Sequence, residues 1–173
     1  MLNLGSGNKP RPGAVNVDAI ARTRPDLVHD LDVTPWPLPD SHFTEVHAYD
    51  VVEHLRDLVR TMQEIHRVCA PGARVFITVP HFSSANSFSD PTHRHSFGAR
   101  SMLYFTDEHE LSYYSSARFR QRQGLIVFQQ SLLNKVVRHL ANRFVTRYEE
   151  RWAWVCPAWF LYFELEALKP TPS

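Results

Sequence analysis

The sequence predicts an open, mostly parallel α/β sheet with a nucleoside-binding crevice at the carboxyl ends of its strands. Three stretches carry that expectation. In the first, Met1-Leu2-Asn3-Leu4-Gly5-Ser6-Gly7, a short apolar run enters Gly-Ser-Gly. In the second, Val15-Asn16-Val17-Asp18, another short run ends on a carboxylate. The third is a helical stripe closed by Pro71-Gly72 and followed by the β-rich run 74–80. Strands joined by a sharp glycine turn, and a helix returning to a strand, are the units of α/β sheets.

With 173 residues, 43% of them hydrophobic, the chain suits one globular domain over 1–173 with an adequate core. A net charge of +1 gives no global push toward nucleic acid, and none is expected as a partner. Cys69 and Cys156 lie far apart and form no metal or redox spacing, so both read as reduced thiols. The N-terminus opens on a strand with no charged n-region, which predicts no export signal and a cytoplasmic location. Ten histidines are more than expected, and they cluster.

Taken in order, the first strand must turn sharply at Gly5 and Gly7, where glycine permits positive φ and leaves no side chain between backbone and ligand. Asp18, at the tip of the second strand, can accept hydrogen bonds from a ribose diol. A dinucleotide site wants Gly-x-Gly-x-x-Gly opening a full helix and an acid about 20 positions on. Here Asn8-Lys9-Pro10-Arg11-Pro12 follows the glycines, the third glycine is missing, and Asp18 arrives early. Two prolines leave no room for a long helix, so the helix between strands one and two is expected to be short or absent. S-adenosylmethionine, which carries no phosphate, fits such a turn better than a nicotinamide dinucleotide.

On the Leu-Asn-Leu-Gly-x-Gly loop and Asn16-Val17-Asp18, the chain resembles small bacterial class I S-adenosylmethionine-dependent methyltransferases. That resemblance implies a Rossmann-like sheet of seven strands, the last antiparallel. It also implies S-adenosyl-L-methionine as cofactor, with S-adenosyl-L-homocysteine as product. Residues 1–80 form the expected cofactor half, with Leu4, Gly5, Ser6, Gly7 and Asp18 at its centre.

The run 26–31 reads as a third short strand ending at Asp30. In the family an acid here takes the adenine amino group while the next backbone amide meets the ring, which implies these roles for Asp30 and Leu31. A loop acid or helix cap is the alternative for Asp30. The proline-rich 33–43 is neither helix nor central strand. It resembles the family's Leu-Pro-Phe-x-Asp-x-Ser-Phe-Asp segment, with Phe43-Thr44-Glu45 in place of Phe-Asp. Strand four follows over 45–50. Then Val51-Val52-Glu53-His54 resembles the family's Val-Leu-Glu-His, which implies that Tyr49, Asp50, Val51 and His54 flank the methionine end of the cofactor. His54 is either a general base or a residue that orders its loop.

Residues 57–70 carry Leu58, Met62, Ile65 and Val68 at near-helical spacing, a core stripe ended by Pro71-Gly72. Arg67-Val68-Cys69-Ala70-Pro71-Gly72 resembles the family's Arg-Val-Leu-Lys-Pro-Gly-Gly, and strand five follows.

Residues 81–117 hold the expected substrate loop, which starts where open α/β sheets place ligands. The loop resembles an Asp-Pro-Thr-His-x-x-x-Phe segment of some small methyltransferases. His81, Asp90, His93 and His95 can act on a hydroxyl proton, and Arg94 can pair with an acidic acceptor. Three readings compete for this cluster: a base and substrate clamp, a structural polar network, or a metal site. The first is favoured, with His81 or His93 as base, Asp90 orienting it, and Arg94, His95 and Phe82 against the acceptor. No compact ligand spacing is present and no metal is assigned. Short helices are expected over 98–104 and from Thr106-Asp107-Glu108 through Leu111 and Tyr114.

Residues 118–173 are expected to hold strand six around 125–128, a long helix opened by Ser131, and a last strand over 162–168 before a frayed tail. In the helix, Val136, Leu140, Phe144 and Tyr148 recur every four residues beside Val137, Ala141 and Val145. Lys135, Arg138, Arg143, Arg147 and Arg151 fill the other positions. The aromatic run 152–163 is too short to span a bilayer. Region 135–163 is expected to pack on the sheet or in a homodimer contact, or to touch a membrane peripherally.

The function expected is transfer of a methyl group to an O or N nucleophile of a small-molecule or glycan acceptor. With no helices ahead of strand one, the acceptor site is expected to be open, or closed by the 81–97 loop or a partner. A cofactor-binding module without transfer activity, or a nicotinamide oxidoreductase, is the alternative.

Overall fold

Leu2, Leu4, Val17, Val46, Ala48, Val75, Ile77, Val79, Leu161, Phe163 and Leu165 alternate along their strands onto one face of a sheet and are buried there. The structure, a computed structural model, describes residues 1–107, 109–110, 112–130 and 132–169. Among the described residues, seven strands run in the order β3-β2-β1-β4-β5-β7-β6. They are β1 (Leu2–Leu4), β2 (Val15–Asp18), β3 (Leu27–Val28), β4 (Phe43–Tyr49), β5 (Cys69–Pro80), β6 (Phe119–Val127) and β7 (Phe160–Ala167). The pairs from β3 to β5 are parallel, and β7 lies antiparallel to both β5 and β6. The expected sheet is therefore observed, including its reversed last strand.

The covered face packs on α1 (Leu58–Val68), a 3-10 turn over Val52–His54, and loop residues Phe97, Met102 and Phe105. In α1, Asp57 caps the amino end by accepting from the Arg60 amide, and Met62, Ile65 and Val68 are fully buried. The helix ends at Val68, and the chain is already extended at Cys69, ahead of the Pro71-Gly72 stop.

No helix joins β1 to β2. In its place the polar face carries Asn3 and Asn16, both buried. Asn3 Nδ2 donates to Asn16 Oδ1 at 2.9 Å. Asn16 also accepts from the Arg11 amide at 2.7 Å and donates to Asp26 Oδ2 at 2.8 Å. This network satisfies backbone that a helix would otherwise cover, and it holds the 8–14 loop down. Further along the same face, His47 stacks on Phe76 with ring centroids 5.0 Å apart.

The carboxyl-terminal region departs from expectation. Helix α2 spans only Asn86–Ser89, and residues 98–114 make 3-10 turns at Ser101–Phe105 and Ser112–Tyr114. Glu108 and Leu111 lie outside the described residues, as do Ser131 and 170–173. The expected long helix is two, α3 (Leu132–Arg143) and α4 (Val145–Arg151), broken at Phe144 where φ is −131° and ψ 55°. The break turns α4 so that the Tyr148 hydroxyl donates to the Cys156 carbonyl, and Glu149 accepts from the Ala99 amide. The four-residue stripe is consequently split. Ala141 and Tyr148 are buried, whereas Val136, Leu140 and Phe144 are exposed, as are Trp152, Trp154 and Val155. Among the described residues no helix is long and apolar enough to cross a membrane.

Candidate functional site

Strand ends place two clefts side by side. The first, about 500 Å³, opens over the glycine turn and is lined by Gly5, Ser6, Tyr49, Asp50, Thr78 and Tyr162, among others. Both glycines have positive φ, 62° at Gly5 and 47° at Gly7, but they serve different ends. A Cβ at Gly5 would lie 2.5 Å from Val51 Cγ2, so this glycine lets the post-β4 loop pack against the turn. A Cβ at Gly7 meets nothing within 4 Å and would project into open space. Asp18 closes the turn: its Oδ2 accepts from the Gly7 amide at 2.7 Å and its Oδ1 from the Ile20 amide at 2.8 Å. Ser6 Oγ is buried without a hydrogen-bond partner among the described residues. An orphaned hydroxyl beside a bare glycine turn fits a polar ligand seated there.

Of the residues expected at the cofactor, Gly5, Ser6, Tyr49 and Asp50 line this cleft; Leu4, Gly7, Asp18, Asp30, Leu31 and Val51 do not, and His54 lines the neighbouring one. Leu4 is buried beneath the turn. Asp30 is exposed and its Oδ1 accepts from the Asp32 amide at 2.9 Å, while the buried Leu31 offers its carbonyl to the Trp36 indole. Neither lines the cleft. Asp50 holds the corner with φ 53°, fixed by its amide on the Thr78 carbonyl and by the Thr78 hydroxyl on its Oδ1, each at 2.9 Å. A left-handed aspartate costs of order 1–3 kcal/mol and persists where surrounding bonds hold it.

Asp50 also lines the second cleft, about 470 Å³, with Glu53, His54, Asn86, Asp90, His93 and Phe160. Glu53 is 1% exposed, and neither carboxylate oxygen has a hydrogen-bond partner among the described residues. Burial, aided by the nearby charges of Asp50 and Asp90, pushes its pKa up to about 8. Burial lowers the pKa of His54, and the neighbouring His93 adds to that. The His54 and His93 rings meet edge to face, 4.7 Å between centroids. Asp90 Oδ1 accepts from the Thr92 hydroxyl at 2.6 Å, and His54 Nδ1 bonds that same hydroxyl at 2.8 Å. The Thr92 bonds hold the Asp90 carboxyl below the usual range.

The loop histidines therefore part company. His93 and Asp90 join Glu53 and His54. His81 is fully buried: its Nδ1 accepts from the Ser83 amide at 3.1 Å, and its Nε2 donates to Glu149 at 3.3 Å. That is the polar-network arrangement, tying the end of β5 to α4, and it leaves His81 no nitrogen for an acceptor. His95 Nε2 donates to the Leu55 carbonyl at 2.8 Å and straps the loop down. Phe82 packs on Trp154 and lines neither cleft; Arg94 is exposed.

Sequence reasoning passed over Glu53 and Thr92. The signal for Glu53 was an acid set among Val51, Val52 and Leu55, a context that buries it.

The family described as "Methyltransferase domain" matches residues 9–77. No curated protein matches the chain. Among solved structures, an S-adenosylmethionine-dependent methyltransferase from Archaeoglobus fulgidus is similar at 15% identity and TM-score 0.65, covering 95% of this chain and 84% of that one. One from Mesorhizobium loti shows 14% identity and TM-score 0.60, covering 95% and 89%. Phosphoethanolamine N-methyltransferase 2 of Haemonchus contortus, solved with S-adenosyl-L-methionine, shows 14% identity and TM-score 0.55, covering 99% and 48%. Residues 9–77 thus match a methyltransferase-domain family, and the chain as a whole shares the class I fold of solved S-adenosylmethionine-dependent methyltransferases.

Proposed function

We propose that this protein transfers a methyl group from S-adenosyl-L-methionine to a hydroxyl or amine of an acceptor held in the cleft of His93. The observation that carries this reading is Asp50, which lines both clefts and so sets the glycine turn and the Glu53–His54–His93 group on either side of one residue. When bound, S-adenosyl-L-methionine supplies a methyl group on a sulfonium, already activated for departure. The chain's task is then mainly positioning. Gly5 and Ser6 present the backbone of the turn to the nucleoside, Asp18 supplies the ribose acceptor, and Tyr49 and Tyr162 aromatic walls. His93 takes the acceptor side, and Asp90 acts through Thr92 to orient His54. We take the acceptor to be a small molecule or a glycan end that enters the His93 cleft of about 470 Å³. One carried on a lipid would suit the exposed Leu140, Phe144 and Trp152 beside Arg143, Arg147 and Arg151.

Calorimetry with S-adenosyl-L-homocysteine and a labelled-methyl assay against hydroxyl- and amine-bearing acceptors test the reading. His93→Ala should lower turnover while leaving homocysteine-nucleoside affinity intact. Uptake of nicotinamide dinucleotide instead would overturn it, and uptake without turnover on any acceptor would favour a binding module.

A further inference from the structure

We propose that Glu53, His54 and His93 form a site for one divalent transition cation, facing the acceptor cleft. One ligand atom from each lies within 4.8 Å of the other two. Bonds of about 2.1 Å put ligand atoms about 3–4 Å apart around a cation, so modest rotation of three side chains closes the set.

Three further features point the same way. First, ionising a carboxyl that is 1% exposed and has no hydrogen-bond partner among the described residues is costly unless something positive meets it. Among the described residues no arginine or lysine lines this cleft.

Second, the ring nitrogens are already sorted. Thr92 donates its hydroxyl proton to Asp90, so His54 Nδ1 must donate to Thr92. His93 Nδ1 faces the Ser87 carbonyl at 3.3 Å, an acceptor only, and so must donate as well. Each ring is left with a free lone pair on Nε2. This is the outer-shell bonding that orients histidine ligands to metals, with Asp90, Thr92 and the Ser87 carbonyl as the orienting groups.

Third, the three residues come from two segments locked together. The Glu53 carbonyl accepts from the Arg94 amide at 2.8 Å, which pins the loop carrying His93 to the turn carrying Glu53 and His54. The site is thus held in shape without a cation.

Two imidazoles and one carboxylate, open on the cleft side, favour a first-row ion from manganese to zinc over magnesium or calcium, which prefer oxygen-rich sets. What the cation does there rests on the methyl-transfer reading. An acceptor hydroxyl taking an open position would lose its proton more readily. That proton would go to Asp50 at the cleft's edge and on to water; the acceptor oxygen would then form the new bond to the methyl carbon as the methyl carbon–sulfur bond of S-adenosyl-L-methionine breaks, its electron pair leaving with the neutral thioether of S-adenosyl-L-homocysteine.

The test uses the full chain after chelator treatment, without nucleoside, titrated with Co2+ by visible absorption and with Mn2+ by electron paramagnetic resonance. One ion per chain is expected. His54→Ala, His93→Ala and Glu53→Gln should each weaken binding by at least about tenfold. Thr92→Val, which removes no ligand, should weaken it less and shift the Co2+ spectrum; exposed His139→Ala should change neither. Circular dichroism checks that each variant is folded. No stoichiometric uptake of Co2+, Mn2+ or Zn2+, or uptake unchanged in both folded histidine variants, overturns the site. Separate calorimetry with S-adenosyl-L-homocysteine distinguishes the two failures: cation uptake without nucleoside uptake sinks the methyl-transfer reading and leaves the metal site standing.

Discussion

Asp18 Oδ2 accepts the Gly7 amide at 2.7 Å, so the acid at the tip of β2 braces the turn that leaves β1. Its Oδ1 is taken up by the Ile20 amide. Each oxygen keeps a second lone pair for a sugar hydroxyl. Asp18→Asn places an amide donor against one of those two N–H groups. S-adenosyl-L-homocysteine affinity should fall at least about tenfold, roughly 1.4 kcal/mol, as measured by calorimetry. Asp30→Asn keeps the oxygen that accepts from Asp32, so the fold should hold, and any loss of affinity there reports an adenine contact.

The two turn glycines should separate cleanly. Gly5→Ala drives a Cβ to 2.5 Å from Val51 at a φ of 62°, which should cost about 1–3 kcal/mol of stability and show in the melting temperature. Gly7→Ala pays the left-handed cost alone, about 1–2 kcal/mol, because its Cβ meets no neighbour. If the nucleoside sits over the turn as proposed, that methyl group faces it, so nucleoside affinity should suffer more than stability does. Equal melting temperatures with equal affinities in the two variants would contradict this division.

Away from the site, Arg67 fastens the proline-rich 33–40 segment. It bonds both Glu64 oxygens at 2.8 Å and the Trp36 and Leu38 carbonyls at 2.9 Å, and pairs with Asp40. Arg67→Ala leaves Glu64, only 8% exposed, without its cation, at about 3–5 kcal/mol. At about 2–4 °C per kcal/mol for a chain of this size, the melting temperature should fall by roughly 10 °C. Burial pushes Glu64 up, but the bonds from Arg67 and the Trp36 amide outweigh it and hold the group below its usual 4.5. The pair's stabilisation is therefore present above that pH and lost as the pH drops through the folded value. An acid-side unfolding limb that disappears in Arg67→Ala is the expected signature.

What the sequence disclosed was whatever depends on local backbone chemistry. Gly5, Gly7 and Asp18 are legible because a turn after a short strand restricts which residues can stand there. Pro10 and Pro12 told equally well that no full helix would follow. The sorting of histidines was not legible, because it depends on distant partners: Glu149 holds His81 across 68 positions, and His54 meets Thr92 across 38. Nor does apolar spacing say which face of a helix is covered. Val136, Leu140 and Phe144 keep helical period yet stand exposed, because Tyr148 and Glu149 turn α4 inward past a break.

Glu53 yields the sharpest dependence on pH, with a sign opposite to that of Glu64. Its carboxyl ionises at the ordinary 4.5 when unfolded and near 8 when buried, so between those values the folded chain holds the extra proton. Stability linked to this group is fully present below about pH 4.5 and declines as the pH rises toward 8, by at most about 1.4 kcal/mol per pH unit. Glu53→Gln cannot ionise and should remove the decline. In urea unfolding of chelator-treated protein from pH 5 to 8.5, the wild type should lose ground steadily to the variant, which becomes the more stable of the two at the alkaline end. A bound cation offsets the same penalty by meeting the carboxylate directly, so Co2+ or Mn2+ should restore wild-type stability at pH 8 and leave Glu53→Gln much less affected. Parallel pH curves for the two proteins would show that the carboxyl titrates normally and is not sealed in the way its burial indicates.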